Sequence, residues 1–147
     1  YVRTLVIDNG STRVAIVSAD LLIIPPEVTS RLTTSLPAID FNINQVYLGA
    51  THSHNSIGNW GKRVAGVIYG SYQDSVVQFI ADKIQTSIQR ASANMLPATL
   101  QAAHINVGEA VSNRLSARGA VDSTMHVLTI NRSDSTKLIM MSYTAHA

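Results

Sequence analysis

Apolar and polar positions along this chain recur with two periods, one of strands and one of helices. Val2 to Ile7 and Arg13 to Ser18 are rich in β-branched residues. They flank Asp8-Asn9-Gly10-Ser11, a turn sequence whose Asn-Gly supplies the positive φ angles of a tight hairpin. Pro25-Pro26-Glu27 opens a helix with proline in its first turn, Val28, Leu32 and Leu36 recur at helical spacing, and Pro37 stops it. Gln45 to Ala50 reads as a strand. Ser71 with Asp74 caps a second helix, in which Val77, Ile80, Ile84, Ile88 and Ala91 form an apolar stripe ending before Pro97. Thr99 to Val107 resumes as a strand. His126 to Asn131 and Lys137 to Thr144 then flank Arg132-Ser133-Asp134-Ser135 as a second hairpin.

Strand 13–19, helix 26–36 and strand 45–50 make a βαβ unit. Its right-handed crossover leaves the strands parallel, with their C-terminal ends on one edge. Asp20 and Thr51-His52-Ser53-His54 emerge together on that edge, where ligands collect in open α/β sheets. The expected fold is α/β, a mixed β-sheet with flanking helices, as a single domain over residues 1–147. Asn55 to Gly70 carries Gly58, Gly61, Gly66, Gly70 and Trp60 without sustained periodicity, and reads as a long loop beside the histidine pair. Gly108 to Ser123 is a second irregular stretch, holding Asn113, Arg114 and Arg118.

Composition admits a packed core, since 46% of residues are hydrophobic and only 14% charged. Lys and Arg total 11 against 9 Asp and Glu, too even a balance to imply nucleic acid, and no basic stripe with interleaved aromatics occurs. No apolar run approaches the roughly 18 to 20 residues that span a bilayer, so no transmembrane segment is expected. Cys is absent, and any transition-metal site must therefore use His with carboxylate, Tyr or water. Tyr1, not Met, stands at the head of an apolar strand, from which a processed or excised fragment is expected.

The chemistry concentrates in His52 and His54. In extended backbone, residues two apart point to one side, so both rings face one cleft and can hold a metal. The competing reading is a polar loop with solvated imidazoles. His146 closes the last apolar run, and with His52 it makes a composite site of two strand ends. His126 competes as a ligand but reads better as a buried or edge histidine, and His104 as structural. Asp20 either holds a ligating imidazole in one tautomer or serves as a turn residue ahead of Pro25. Arg114 is either a contact for an oxyanion or headgroup or a solvated loop arginine. Leu5 to Thr12 is similar to the first phosphate loop of actin-like ATPases. The second phosphate loop and the adenosine loop of that class do not occur, which favours a hairpin turn.

Taken in order, Val17-Ser18-Ala19-Asp20-Leu21-Leu22, Ala50-Thr51-His52-Ser53-His54, Asn113-Arg114 and Tyr143-Thr144-Ala145-His146 resemble the neutral/alkaline non-lysosomal ceramidase family. The most specific element is the T-H-x-H motif, backed by the strand-end histidine after a hairpin. The resemblance implies part of a larger catalytic domain, secreted or periplasmic, with Zn2+ bound by His52 and His146. It also implies His54 beside the activated water and the scissile amide, and Arg114 aimed at the substrate. Zinc would make water nucleophilic near neutral pH, and the substrate would be ceramide or a related N-acyl lipid. Family members follow the histidine pair with Ser-Gly-Pro-Gly-Gly, whereas this chain has Asn55-Ser56-Ile57-Gly58-Asn59-Trp60, a stiffer and bulkier loop. Their Asn-Arg-Ser-Pro stretch is kept only in part, since Leu115 and Ser116 follow Arg114.

The family's other zinc ligands, a Glu and a Tyr, fall beyond residue 147. Two histidines are fewer than the three protein ligands of an ordinary catalytic zinc, so the isolated chain is expected to bind zinc weakly and to be inactive. Two other readings stay open. One is the same scaffold acting on a non-lipid amide or ester, and the other is a non-catalytic α/β binding module.

Overall fold

The computed structural model describes residues 1–116 and 118–144. The chain gathers into two compact units, Tyr1–Met95 and Leu96–Ala147. The fold class is α/β. The first unit holds strands β1 (Val2–Asp8), β2 (Arg13–Ala19) and β3 (Val46–Ala50) with helices α1 (Pro26–Ser35), α2 (Ala65–Tyr69) and α3 (Asp74–Ala93). The second holds β4 (Ala98–Asn106), β5 (Thr124–Arg132) and β6 (Lys137–Tyr143).

In the first unit the sheet order is β1-β2-β3, with β1 antiparallel to β2 and β2 parallel to β3. The crossover through α1 and short 3-10 turns brings Ala15 opposite Val46 and Ala19 opposite Ala50, so β2 and β3 end level with each other. The core follows the periodicity. Val28, Leu32 and Leu36 from α1 and its continuation, and Val77, Ile80, Ala81, Ile84 and Ile88 from α3, are buried against Ala15, Val17 and Ala19 of β2. Fully burying a Val, Leu or Ile side chain contributes roughly 1.5–3 kcal/mol, so these helical positions account for much of what holds α1 and α3 to the sheet. A hydroxyl contact between Thr4 and Ser87, 2.7 Å apart, joins β1 to α3. Arg31 of α1 reaches Asp74 and Gln78 of α3.

Two local expectations are corrected. The β1–β2 hairpin forms, but Asn9 does not share the positive φ expected of the Asn-Gly pair. Four residues, Asn9 to Thr12, separate the strands, and only Gly10 has positive φ, at 86°. The Asn9 side chain accepts from the amides of Ser11 and Thr12, and Asp8 accepts from that of Gly10. The amides of this turn are thus taken up by its own carboxyl and carboxamide oxygens, unlike those of a phosphate-wrapping loop. The second correction concerns α3, whose N-cap is Gln73 with no side-chain cap bond. Asp74 is instead drawn to Tyr72 and Arg31, which hold its carboxyl below the usual aspartate range.

In the second unit β5 is the central strand, antiparallel to β4 and β6. His104 lies directly opposite His126, and both are exposed. His126 is therefore neither buried nor on an edge. The hairpin pattern shows only β6 as a neighbour of its strand, and β4 arrives on the other side from an irregular stretch away. Among the described residues no helix is long and apolar enough to cross a membrane.

Candidate functional site

The level ends of β2 and β3 set the position of the histidine pair. Beyond Ala50 the chain stays hydrogen-bonded to the segment leaving β2: the Thr51 amide donates to the Ala19 carbonyl at 3.0 Å and the Ser53 amide to the Leu21 carbonyl at 3.1 Å. Between those bonds His52 takes a left-handed backbone, φ 59°. That conformation is uncommon for a residue with a Cβ and costs energy, and such residues concentrate at functional sites. The strand has ended, so the rings are not brought together by strand alternation as expected from sequence. The left-handed turn does it instead, leaving the His52 and His54 ring centroids 4.9 Å apart, edge to face at 83°.

The His52 Nδ1 lies 2.9 Å from the Leu22 carbonyl oxygen. A carbonyl only accepts, so Nδ1 is the protonated nitrogen and donates to it, which leaves the lone pair on Nε2. This is the arrangement of a metal-binding imidazole, whose second nitrogen is held by a backbone carbonyl or carboxylate. The donor chemistry of His52 thus fits a divalent metal at Nε2. Among the described residues no group of three or more His, Asp or Glu is disposed to hold a metal ion.

Asp20 sits at the same edge but does different work from the tautomer-holding carboxylate considered from sequence. Its carboxylate accepts from the Arg3 guanidinium at 3.2 Å and from the Thr51 hydroxyl at 3.3 Å. Partial desolvation opposes its ionisation and the Arg3 guanidinium favours it, and it titrates below the ordinary value. Its backbone carbonyl accepts from the Ser56 hydroxyl at 2.6 Å, which ties the start of the following loop to the strand end. Asp20 therefore fixes the loop, and the Leu22 carbonyl orients the ring.

That loop is more ordered than its glycine content predicts. Trp60 is buried, donates its indole N–H to the Ile57 carbonyl at 2.8 Å, and stacks on Tyr69 with centroids 4.4 Å apart. The Asn59 amide donates to the Tyr69 carbonyl, and the Gln73 amide to the Asn59 carbonyl at 2.8 Å, closing residues 59–73 on themselves. A short helix, α2, lies inside what reads as irregular chain, because five residues, Gly66 among them, carry no measurable period.

Arg114 lies in the second unit, exposed, in a turn built by Asn113. The Asn113 carboxamide accepts from the amides of Leu115 and Ser116 at 3.0 and 3.1 Å and donates to the Ala120 carbonyl at 3.1 Å. The Asn-Arg pair is thus a turn-former followed by the side chain that the turn presents. His146 lies outside the described residues. Of the residues singled out from sequence for the site, His52 and His54 are in contact with each other. The Leu22 carbonyl and the Trp60–Tyr69 stack had no signature there: every residue has a carbonyl, and ring stacking across a loop has no spacing rule.

Comparison with known proteins matches residues 1–146 to the family described as neutral/alkaline non-lysosomal ceramidase, N-terminal. Among solved structures, a ceramidase complexed with C2 superposes with a TM-score of 0.78 at 25% identity, covering 90% of this chain and 23% of that one. The neutral ceramidase from Pseudomonas aeruginosa gives a TM-score of 0.67 at 25% identity, covering 87% of this chain and 23% of its own. The chain therefore spans about a quarter of the length of the solved proteins it resembles. A comparison with curated protein sequences finds no match.

Proposed function

From the fact that this chain belongs to the neutral/alkaline non-lysosomal ceramidase family, in its N-terminal region, we propose that it forms part of the catalytic domain of a zinc-dependent amide hydrolase. The substrate class is an N-acyl lipid, ceramide or a relative, cleaved at its amide bond. The single observation that supports this reading is the His52 ring, whose Nδ1 donates to the Leu22 carbonyl as the second nitrogen of a metal-binding imidazole does.

His52 and His146 are the proposed zinc ligands, with the remaining ligands supplied by the rest of the polypeptide. When bound, zinc supplies a Lewis acid that brings the ionisation of water towards about pH 7 and polarises an amide carbonyl. His54, packed against His52, takes the proton released as water attacks and returns it to the departing amine. Arg114 stabilises the oxyanion that develops at the carbonyl, or holds the polar headgroup. The Asp20–Ser56 bond keeps the loop entry in place while this happens. The isolated 147-residue chain, with two of these ligands, binds zinc weakly and is inactive.

Replacing His52 by Ala in the full polypeptide, with zinc content and hydrolysis of an N-acyl sphingoid amide measured together, tests this. Loss of both is expected. Unchanged zinc content would end the proposal, and hydrolysis of simple esters or peptides in preference to lipid amides would shift it to a non-lipid substrate.

A further inference from the structure

The β1–β2 turn holds chemistry that the histidine site does not use. Asn9-Gly10 is the one Asn-Gly pair in the sequence. The fold gathers three donors on the Asn9 side-chain oxygen: the Thr12 amide at 2.8 Å, the Ser11 hydroxyl at 2.9 Å and the Ser11 amide at 3.1 Å. Donors converging on a carbonyl oxygen stabilise the oxyanion that forms when that carbonyl is attacked. The nucleophile next in the chain is the Gly10 backbone nitrogen, whose N–H donates to Asp8 Oδ1 at 2.8 Å. Arg13 holds Asp8 in place by donating through Nε to the other carboxylate oxygen, also at 2.8 Å. Gly10 brings no Cβ to obstruct an approach, and its φ of 86° suits glycine.

We propose that Asn9 is a self-modification site, at which the folded turn promotes deamidation with water as the co-reactant. The Gly10 nitrogen bonds to the Asn9 side-chain carbonyl carbon. Its proton passes by way of Asp8 to the carboxamide nitrogen, the bond from that nitrogen to carbon breaks, and ammonia leaves. Water then opens the resulting five-membered imide at either carbonyl, giving aspartate or isoaspartate at position 9. The attack is intramolecular, so the reacting groups are already joined, and it needs no partner and no open face.

Both products place a second carboxylate beside Asp8. Aspartate keeps an acceptor for the three donors. Isoaspartate adds a methylene to the main chain, which displaces the Asn9 amide from the Thr12 carbonyl, now 3.2 Å away, next to the Asp8–Arg13 end of the ladder. The change falls at the start of β2, whereas Asp20 and the histidine pair lie past its other end. The proposal is therefore independent of the hydrolase reading.

The test incubates the full polypeptide in mildly alkaline buffer beside a synthetic peptide of residues 4–13, the segment trypsin releases by cutting after Arg3 and Arg13. Conversion is read in both as a mass gain of one unit, and isoaspartate is assayed separately. The folded polypeptide is expected to convert at least as fast as the peptide. Ser11→Ala, which removes one donor from the Asn9 oxygen, should slow the folded polypeptide severalfold and the peptide far less. Asp8→Asn, which removes the proton acceptor, should slow the folded polypeptide in the same way, with circular dichroism confirming that both variants fold.

An Asn9 that stays a carboxamide in the folded polypeptide while the peptide converts overturns the proposal, because the turn then protects the residue. So does a Ser11→Ala polypeptide that converts as fast as the wild type. Equal slowing of polypeptide and peptide by that substitution overturns it as well, since the effect would belong to the local sequence and not to the fold.

Discussion

His52 donates through Nδ1 to the carbonyl of Leu22, 2.9 Å away and thirty positions earlier in the chain. Neither residue would be expected to meet the other from local pattern. The bond exists because β2 and β3 end level and the segments leaving them stay paired through Thr51 to Ala19 and Ser53 to Leu21. It converts a generic imidazole into one with a defined tautomer, and it offsets part of the cost of a left-handed backbone at His52.

That tautomer is directly measurable. Nitrogen-15 spectra of the neutral His52 ring are expected to show a protonated Nδ1 and an unprotonated Nε2, the reverse of the form that commonly prevails in free imidazole side chains. Zinc titrated into the full polypeptide should perturb the Nε2 resonance of His52 before those of His104 and His126. A protonated Nε2 would remove the basis for ligation.

His54 is assigned to proton movement and His52 to the metal, so their substitutions should separate. His54→Gln in the full polypeptide is expected to leave zinc content at the wild-type level and to lower kcat by about 10²–10⁴-fold, the usual range for a general acid or base. The pH–rate profile should flatten on the limb that belongs to the lost imidazole. Loss of zinc from this variant would make His54 a ligand.

Gly70 closes the segment that carries α2, at φ 84° and ψ 155°, a region essentially reserved for glycine. A Cβ there would lie 2.9 Å from the Asn59 side-chain nitrogen. Gly70→Ala should cost about 1–3 kcal/mol in urea unfolding. It should also weaken the Trp60–Tyr69 stack, seen as a loss of near-ultraviolet circular dichroism. An unchanged aromatic signal would show that the stack is held independently of this turn.

Ile88 and Gln89 are neighbours in sequence, about 100° apart around α3. Ile88 is fully buried and Gln89 exposed. Ile88→Ala should destabilise by roughly 2–5 kcal/mol, through lost burial and the cavity left behind. Gln89→Ala should stay within about 0.5 kcal/mol. The comparison by denaturant unfolding tests the packing of α3; equal effects would contradict it.

The elements most legible in sequence are those whose cause is local. Pro26 and the Val28, Leu32, Leu36 spacing mark α1, and the stripe from Val77 to Ile88 marks α3, because burial of one helical face selects those spacings whatever the helix packs against. The βαβ reading likewise placed Asp20 and Thr51 at one edge, and they meet there at 3.3 Å. The short α2 was not legible, since five residues are too few to display a period. The true N-cap of α3 was not either, because Asp74 had a better partner in Arg31, forty-three positions away.

By itself, then, the order of residues determined the strands β1 to β6 and the helices α1 and α3, that β2 and β3 run parallel, and that two imidazoles fall just past a strand end. The tertiary structure alone decided which nitrogen of His52 is protonated, that His52 and His54 meet through a left-handed turn instead of strand alternation, and that Asp20 serves Arg3, Thr51 and the loop. The physical reason is one of range. Hydrophobic periodicity is set by neighbours a few residues apart, whereas a hydrogen bond to a carbonyl depends on where the fold carries a backbone group that every residue shares.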